Sequence, residues 1–180
     1  SANGLNINVS VPPAICAGDT VTITVSGGNI YSWQPATGLS GSTSAVVTAN
    51  PVTTTNYTVT ATDNNGCVGT AVAAVTVNPL PVITSSSGIS VCLGVAAALS
   101  VSGANTYSWL PVTGLNTSNG SNVIASLSST TTYSVTATDV NGCTGTTAVT
   151  VTVNPLPVSL FAADVLNGCG PLCINFTDTS

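Results

Sequence analysis

The sequence predicts an all-β protein built from two copies of one unit, and three observations predict it. Serine and threonine supply 52 of the 180 residues and alternate with valine, isoleucine and alanine, the period of two expected of half-buried strands. Threonine keeps β propensity through its branched Cβ while its hydroxyl stays wet. No segment places apolar residues at helical spacing between capping residues. Finally, Cys16, Tyr31, Trp33, Pro35, Gly38, Leu39, Tyr57, Asp63, Gly66, Cys67 and Asn78 all recur 76 positions on, as Cys92, Tyr107, Trp109, Pro111, Gly114, Leu115, Tyr133, Asp139, Gly142, Cys143 and Asn154. One fixed offset means that no insertion or deletion separates the copies.

Within a copy the elements follow in order. Val21-Thr22-Ile23-Thr24-Val25 alternates as a strand, and Gly27-Gly28-Asn29 turns the chain into the next, which carries Tyr31 and Trp33. Tyr57 to Thr62 alternates again, and Asp63-Asn64-Asn65-Gly66, like Asp139-Val140-Asn141-Gly142, is a hairpin signal. Each copy closes on Asn-Pro-Leu-Pro, at Asn78 to Pro81 and Asn154 to Pro157. Proline donates no ladder hydrogen bond and favours extended backbone, so these are short, stiff joints. About seven short strands per copy, with tryptophan on the third, predict tandem immunoglobulin-like β-sandwiches in an extended rod. The expected division is residues 1–78 and 82–154 for the repeats, 79–81 and 155–157 for the joints, and 158–180 for the start of a different module.

Composition excludes much. The chain has no lysine, arginine, histidine or methionine, and its net charge of −5 comes from aspartates alone. Charged residues make up 3%, against roughly a quarter in an average domain. Nucleic-acid binding needs cations to displace counterions from phosphates. Ser-His-Asp and Cys-His systems lack their base, phosphoryl transfer lacks its clamp, and histidine zinc sites cannot be built. The expectation is a non-enzyme with no cofactor, no metal and no nucleic-acid partner. Apolar runs stay short, as in Val95 to Leu99, well under the ~20 residues of a spanning helix, so membrane insertion is not expected. Ser1 opens without a basic region or apolar leader, and Asn175 to Ser180 stops within a strand-like pattern; the chain is expected to be a segment of a larger protein.

Trp33 and Trp109 fit either a sugar-stacking platform or the core of the third strand, and the core is the reading adopted. Tyr57 and Tyr133 are assigned to structural anchorage in the penultimate strand. Asp63 and Asp139 could serve calcium, but a site wants six to eight oxygen ligands and usually several carboxylates, whereas each turn offers one. A turn in which aspartate bonds its own backbone is expected instead.

Six cysteines without metal-ligand companions read as disulfides in an oxidising compartment: Cys16, Cys67, Cys92, Cys143, Cys169 and Cys173. Cys16 to Cys67 and Cys92 to Cys143 have the same spacing of 51, which favours pairing within each repeat. Geometry objects. In the standard sandwich the two cysteines of a repeat lie at opposite poles, roughly 25 Å apart for strands of seven or eight residues, and a disulfide needs Cα atoms within about 7 Å. The rival scheme joins Cys16 to Cys143, Cys92 to the third module and Cys67 to a preceding one. Both stand at this point, with pairing within repeats preferred.

The repeat resembles the immunoglobulin-like and PKD-like modules strung in tandem through large secreted proteins of Bacteroidota. The resemblance rests on Cys16-Ala17-Gly18-Asp19-Thr20-Val21-Thr22-Ile23, Tyr31-Ser32-Trp33-Gln34-Pro35-Ala36-Thr37-Gly38-Leu39, Thr54 to Val59 and Asp63-Asn64-Asn65-Gly66-Cys67, with their second-copy counterparts. Gly168-Cys169-Gly170-Pro171-Leu172-Cys173-Ile174-Asn175-Phe176 resembles the opening of a PKD domain. The resemblance implies a part of a cell-surface adhesin, the gliding-motility kind included, exported by type IX secretion. Asp19-Thr20-Val21 resembles the Asp-Thr-hydrophobic O-glycosylation signal of that group, making Thr20 a candidate site.

The expected function is therefore structural: a stalk or fibre segment of an extracellular, cell-surface protein. Its partners would be neighbouring domains of the same chain or other copies in a fibre, with surface or glycan ligands bound elsewhere. A glycan-binding module, marked by exposed tryptophan, and an ancillary region of a secreted hydrolase are the alternatives. Without lysine no intramolecular isopeptide bond can form, and proteases that cut after lysine or arginine find no site.

Overall fold

Alternation along each segment decides what is buried. In β3 (Val21–Ser26) Ile23 and Val25 are buried while Thr22, Thr24 and Ser26 face solvent. The same holds in β6 (Thr55–Thr62), where Tyr57, Val59 and Ala61 point inward. The structure, a computed structural model, describes residues 4–158, 161–163 and 176–178, and among these residues all regular structure is β. No helix among them is long and apolar enough to cross a membrane.

Two compact units are present. One comprises 1–83, 103–107 and 136–146; the other comprises 84–102, 108–135 and 147–180.

In the first unit, β1 (Asn8–Val9), β3 and β5 (Val46–Ala49) form an antiparallel sheet in the order β1-β3-β5. A second sheet runs β4-β6-β7, with β4 (Ile30–Gln34) and β7 (Val68–Val75) on either side of β6. Tyr57 lies opposite Ala73, and Trp33 opposite Val59. Short β2 (Ile15–Cys16) pairs parallel with β8 (Val77–Asn78), setting Cys16 opposite Asn78. The core combines Ile23, Val25, Val47 and Ala49 of the first sheet with Tyr31, Trp33, Tyr57, Val59, Ala61, Ala73 and Val75 of the second. Two antiparallel sheets sharing one core, closed by the parallel pair of β2 with β8, make an immunoglobulin-like sandwich.

The second copy uses the same pairing. β9 (Thr84–Ser85), β11 (Ala97–Ser102) and β13 (Asn122–Ala125) form the sheet β13-β11-β9. The four-stranded sheet is β10-β15-β14-β12, from β10 (Ile89–Cys92), β12 (Thr106–Leu110), β14 (Thr131–Thr138) and β15 (Thr144–Asn154). The buried side chains of the two sheets include Leu99 and Val123 on the first and Trp109, Tyr133, Val135, Val149 and Val151 on the second. Residues 8–78 hold eight strands and 84–154 hold seven, because Thr76 interrupts in the first copy the line that β15 continues in the second.

Glycine shapes the entry to each copy. A Cβ on Gly27, which has φ +107, would collide with the carbonyl of Asn6, and one on Gly103, with φ +105, would collide with that of Val82. Only glycine permits both the backbone angle and the approach. Farther along, β16 (Phe161–Ala163) pairs antiparallel with β17 (Phe176–Asp178). The remainder of the module expected at 158–180, including Cys169 and Cys173, lies outside the described residues.

Candidate functional site

The chain's chemistry concentrates at one covalent junction in the first unit. Cys16 ends β2, held by hydrogen bonds from Ile15 N to Thr76 O (3.0 Å) and Ala17 N to Asn78 O (2.9 Å). The chain then turns through Gly18, at φ +98, as Asp19 N donates to Cys16 O. Cys143 closes the turn that begins at Asp139, whose Oδ1 accepts from the backbone N–H of Asn141 and of Cys143, both at 2.8 Å. The two cysteines are disulfide-bonded, with Cα atoms 5.6 Å apart and a sequence separation of 127. Cys143 is fully buried.

This bond overturns pairing within repeats, and strand register gives the reason. Cys16 sits opposite Asn78, whereas Cys67 lies just ahead of β7, eleven residues back along the same line. At ~3.3 Å per residue the separation is roughly 36 Å, several times what a disulfide spans. The joint explains why Cys16 meets Cys143. It starts at Asn78, beside Cys16, and by Pro81 it has reached Gly145, whose added Cβ would lie 2.8 Å from the Pro81 carbonyl. Gly145 is two residues from Cys143, so a joint of four residues delivers one cysteine to the other. Cys67 and Cys92, also expected in disulfides, are exposed and bond no other cysteine among the described residues.

The aromatic residues are committed to cohesion. Trp33 and Trp109 are 1% and 0% exposed, and each indole N–H donates to a carbonyl, Ser44 O and Gly120 O, at 2.9 Å. Neither offers a ring face to a sugar. Tyr57 and Tyr133 are fully buried, their hydroxyls donating to Thr37 O (3.0 Å) and Thr113 O (2.7 Å), and burial raises both above the usual 10.0. Trp109 and Tyr133 meet edge to face, with centroids 6.3 Å apart.

Asp63 Oδ1 accepts from Asn65 N (2.9 Å) and Cys67 N (2.8 Å), with Gly66 at φ +82 completing the turn. No group of three or more metal-ligating side chains occurs among the described residues. Thr20 is exposed, immediately ahead of β3. Open concavities of about 320 Å³ beside Asp139 and about 380 Å³ beside Pro35 are lined without aromatic rings.

One contact escapes sequence reasoning: the Asn50 amide donates to both Gly18 O (2.9 Å) and Asp19 O (2.8 Å), tying down the turn after Cys16. The second copy has Ser126 there, so repetition gave no signal. The recurrence of Gly69 as Gly145 did carry one, since a Cβ on Gly69 would collide with the Leu5 carbonyl in the same manner.

Residues 79–155 match the family described as "Ig-like domain CHU_C associated". No curated protein matches the chain. Among solved structures it is similar to a C-terminal 282-residue fragment of intimin, solved with the translocated intimin receptor's intimin-binding domain, at 21% identity and TM-score 0.48, covering 88% of this chain and 66% of that one. It is also similar to the N-terminal eight immunoglobulin domains of the Down syndrome cell adhesion molecule (16% identity, TM-score 0.42, 99% of this chain, 32% of that one). A third is a calcium-stabilised adhesin with which an Antarctic bacterium binds ice (14% identity, TM-score 0.43, 91% and 52%). The chain spans less than two thirds of each of these. The matched residues, with the strand order described above, make this an all-β chain carrying an immunoglobulin-like module.

Proposed function

We propose that the chain is a non-catalytic stalk segment of a large extracellular surface protein, with immunoglobulin-like domains in series at 1–78 and 82–154. It holds a distal binding region away from the cell or contributes to a surface fibre. The observation that carries this reading is the Cys16–Cys143 bond, which fastens one copy to the next across a proline joint. A disulfide that persists belongs to an oxidising compartment, and a bond spanning a joint serves mechanical continuity. The family match supports an adhesion or structural setting, and we assign the parent protein to the gliding-motility and adhesin type of Bacteroidota, exported by type IX secretion. Solubility comes from the Ser/Thr coat.

The test is immunogold electron microscopy of native cells with an antibody to this segment, together with a glycan array probed with the purified chain. Label on extracellular fibres or a surface layer, with a silent array, is the expected outcome. Label confined to the cell interior, or saturable binding of a glycan by the chain, overturns the reading.

A further inference from the structure

Two exposed thiols in a molecule whose other described cysteines are bonded call for an account. Cys67 stands in the first copy where Cys143 stands in the second, and Cys92 stands in the second where Cys16 stands in the first. Each is therefore the repeat-equivalent of one half of an observed disulfide.

The surroundings of each are laid out as they are at the bonded junction. Cys92 ends β10 opposite Asn154, as Cys16 ends β2 opposite Asn78, and Leu93 N donates to Asn154 O (2.8 Å) as Ala17 N does to Asn78 O. The residues that follow, Asn154-Pro155-Leu156-Pro157, repeat the joint that carries the chain from Cys16 to Cys143. At Cys67 the incoming side is set. Leu5 and Ile7 lie against Gly69, and Asn6 against Gly27, in the places that Pro81, Ile83 and Val82 take against Gly145 and Gly103. The segment entering the first copy thus follows the path of the joint entering the second. Asp63 grips Cys67 N at 2.8 Å as Asp139 grips Cys143 N.

We propose that Cys67 and Cys92 are the two open halves of a staple repeated along an array. Cys67 takes the Cys16-type thiol of a repeat placed before it, and Cys92 takes the thiol that holds the Cys143 place in the module that follows it. Both thiols would be consumed, so that each joint carries one disulfide and no repeat contains an internal one. Each bond forms by loss of two protons and two electrons from a thiol pair. The electrons pass to a disulfide oxidant such as glutathione disulfide, which leaves as two thiols by exchange through a mixed disulfide. This concerns covalent assembly and stands whether or not the array is a stalk.

The experiment extends the full chain in two ways. One construction inserts a further copy of residues 82–157 between Pro157 and Val158; the other repeats residues 6–81 ahead of Asn6. Each protein is oxidised in a glutathione buffer at high dilution, its free thiols are alkylated, and it is cut with pepsin and mapped by mass spectrometry without reduction. Persistence of the Cys16–Cys143 peptide reports that the original junction has folded. In the first construction the expected result is a peptide linking Cys92 to the inserted counterpart of Cys143, with Cys67 alkylated. In the second, Cys67 is linked to the inserted counterpart of Cys16, and Cys92 is alkylated. A Cys92→Ser version of the first construction leaves the inserted counterpart of Cys143 alkylated. Alkylation of Cys92 in the unsubstituted first construction, its linkage to Cys169 or Cys173, or Cys67–Cys92 bonds between chains would overturn the proposal.

Discussion

At the scale of single residues, the tryptophans show how a chain almost without charge still specifies its interior. Trp33 fills space in the sheet of β4, β6 and β7 while its N–H satisfies the Ser44 carbonyl, so volume and hydrogen bond act together. Trp33→Phe keeps a ring but leaves that carbonyl without its donor, and should lower stability by about 2 kcal/mol, against about 3–5 kcal/mol for Trp33→Ala. Guanidinium unfolding followed by far-ultraviolet circular dichroism measures both. Tyr57 and Tyr133 yield a pH prediction. Burial raises their folded-state values above 10.0, so the unfolded chain releases these protons at lower pH than the folded one. Their contribution to stability is complete below pH 10 and is lost as pH climbs from there through the folded-state values. With no lysine or arginine titrating alongside, the double substitution Tyr57→Phe and Tyr133→Phe should flatten the alkaline fall in the unfolding midpoint.

Among elements, strand and turn positions were written plainly in the sequence, because alternation of threonine with aliphatics maps directly onto alternating faces. Val21 to Val25 and Tyr57 to Thr62 both lie inside observed strands, and the Asp63 turn follows from its own side-chain acceptor. Partnering across the joint was legible only as one of two schemes: the poles of the standard sandwich pointed to Cys16–Cys143, and spacing pointed the other way. Equal spacing of Cys16–Cys67 and Cys92–Cys143 says nothing about which end of a strand each cysteine occupies; that depends on β2 running parallel to β8, a non-local pairing. The Asn50 clamp was hidden for a similar reason, its targets lying more than thirty positions away. Glycines separate into two kinds at this scale. Gly27→Ala would force a Cβ into the Asn6 carbonyl at φ +107, while Gly66→Ala meets open space at φ +82. The first should cost at least about 2 kcal/mol and the second about 1 kcal/mol, compared by their guanidinium midpoints.

For the whole molecule, the one bond between the copies sets the terms of unfolding. A crosslink between positions 127 apart restricts the denatured chain by roughly 5 kcal/mol on the chain-entropy account. Reduction, or Cys143→Ser, should therefore lower the denaturation midpoint, whereas Cys67→Ser in the same 180-residue chain should leave it unmoved; scanning calorimetry with and without reductant checks both. The same bond also governs how the protein answers a pull. Tension entering at the N-terminal side reaches Cys16 and crosses to Cys143 over 5.6 Å, bypassing every residue between. At ~3.4 Å per residue, some 400 Å of potential slack stays locked away from traction until the sulfurs are parted.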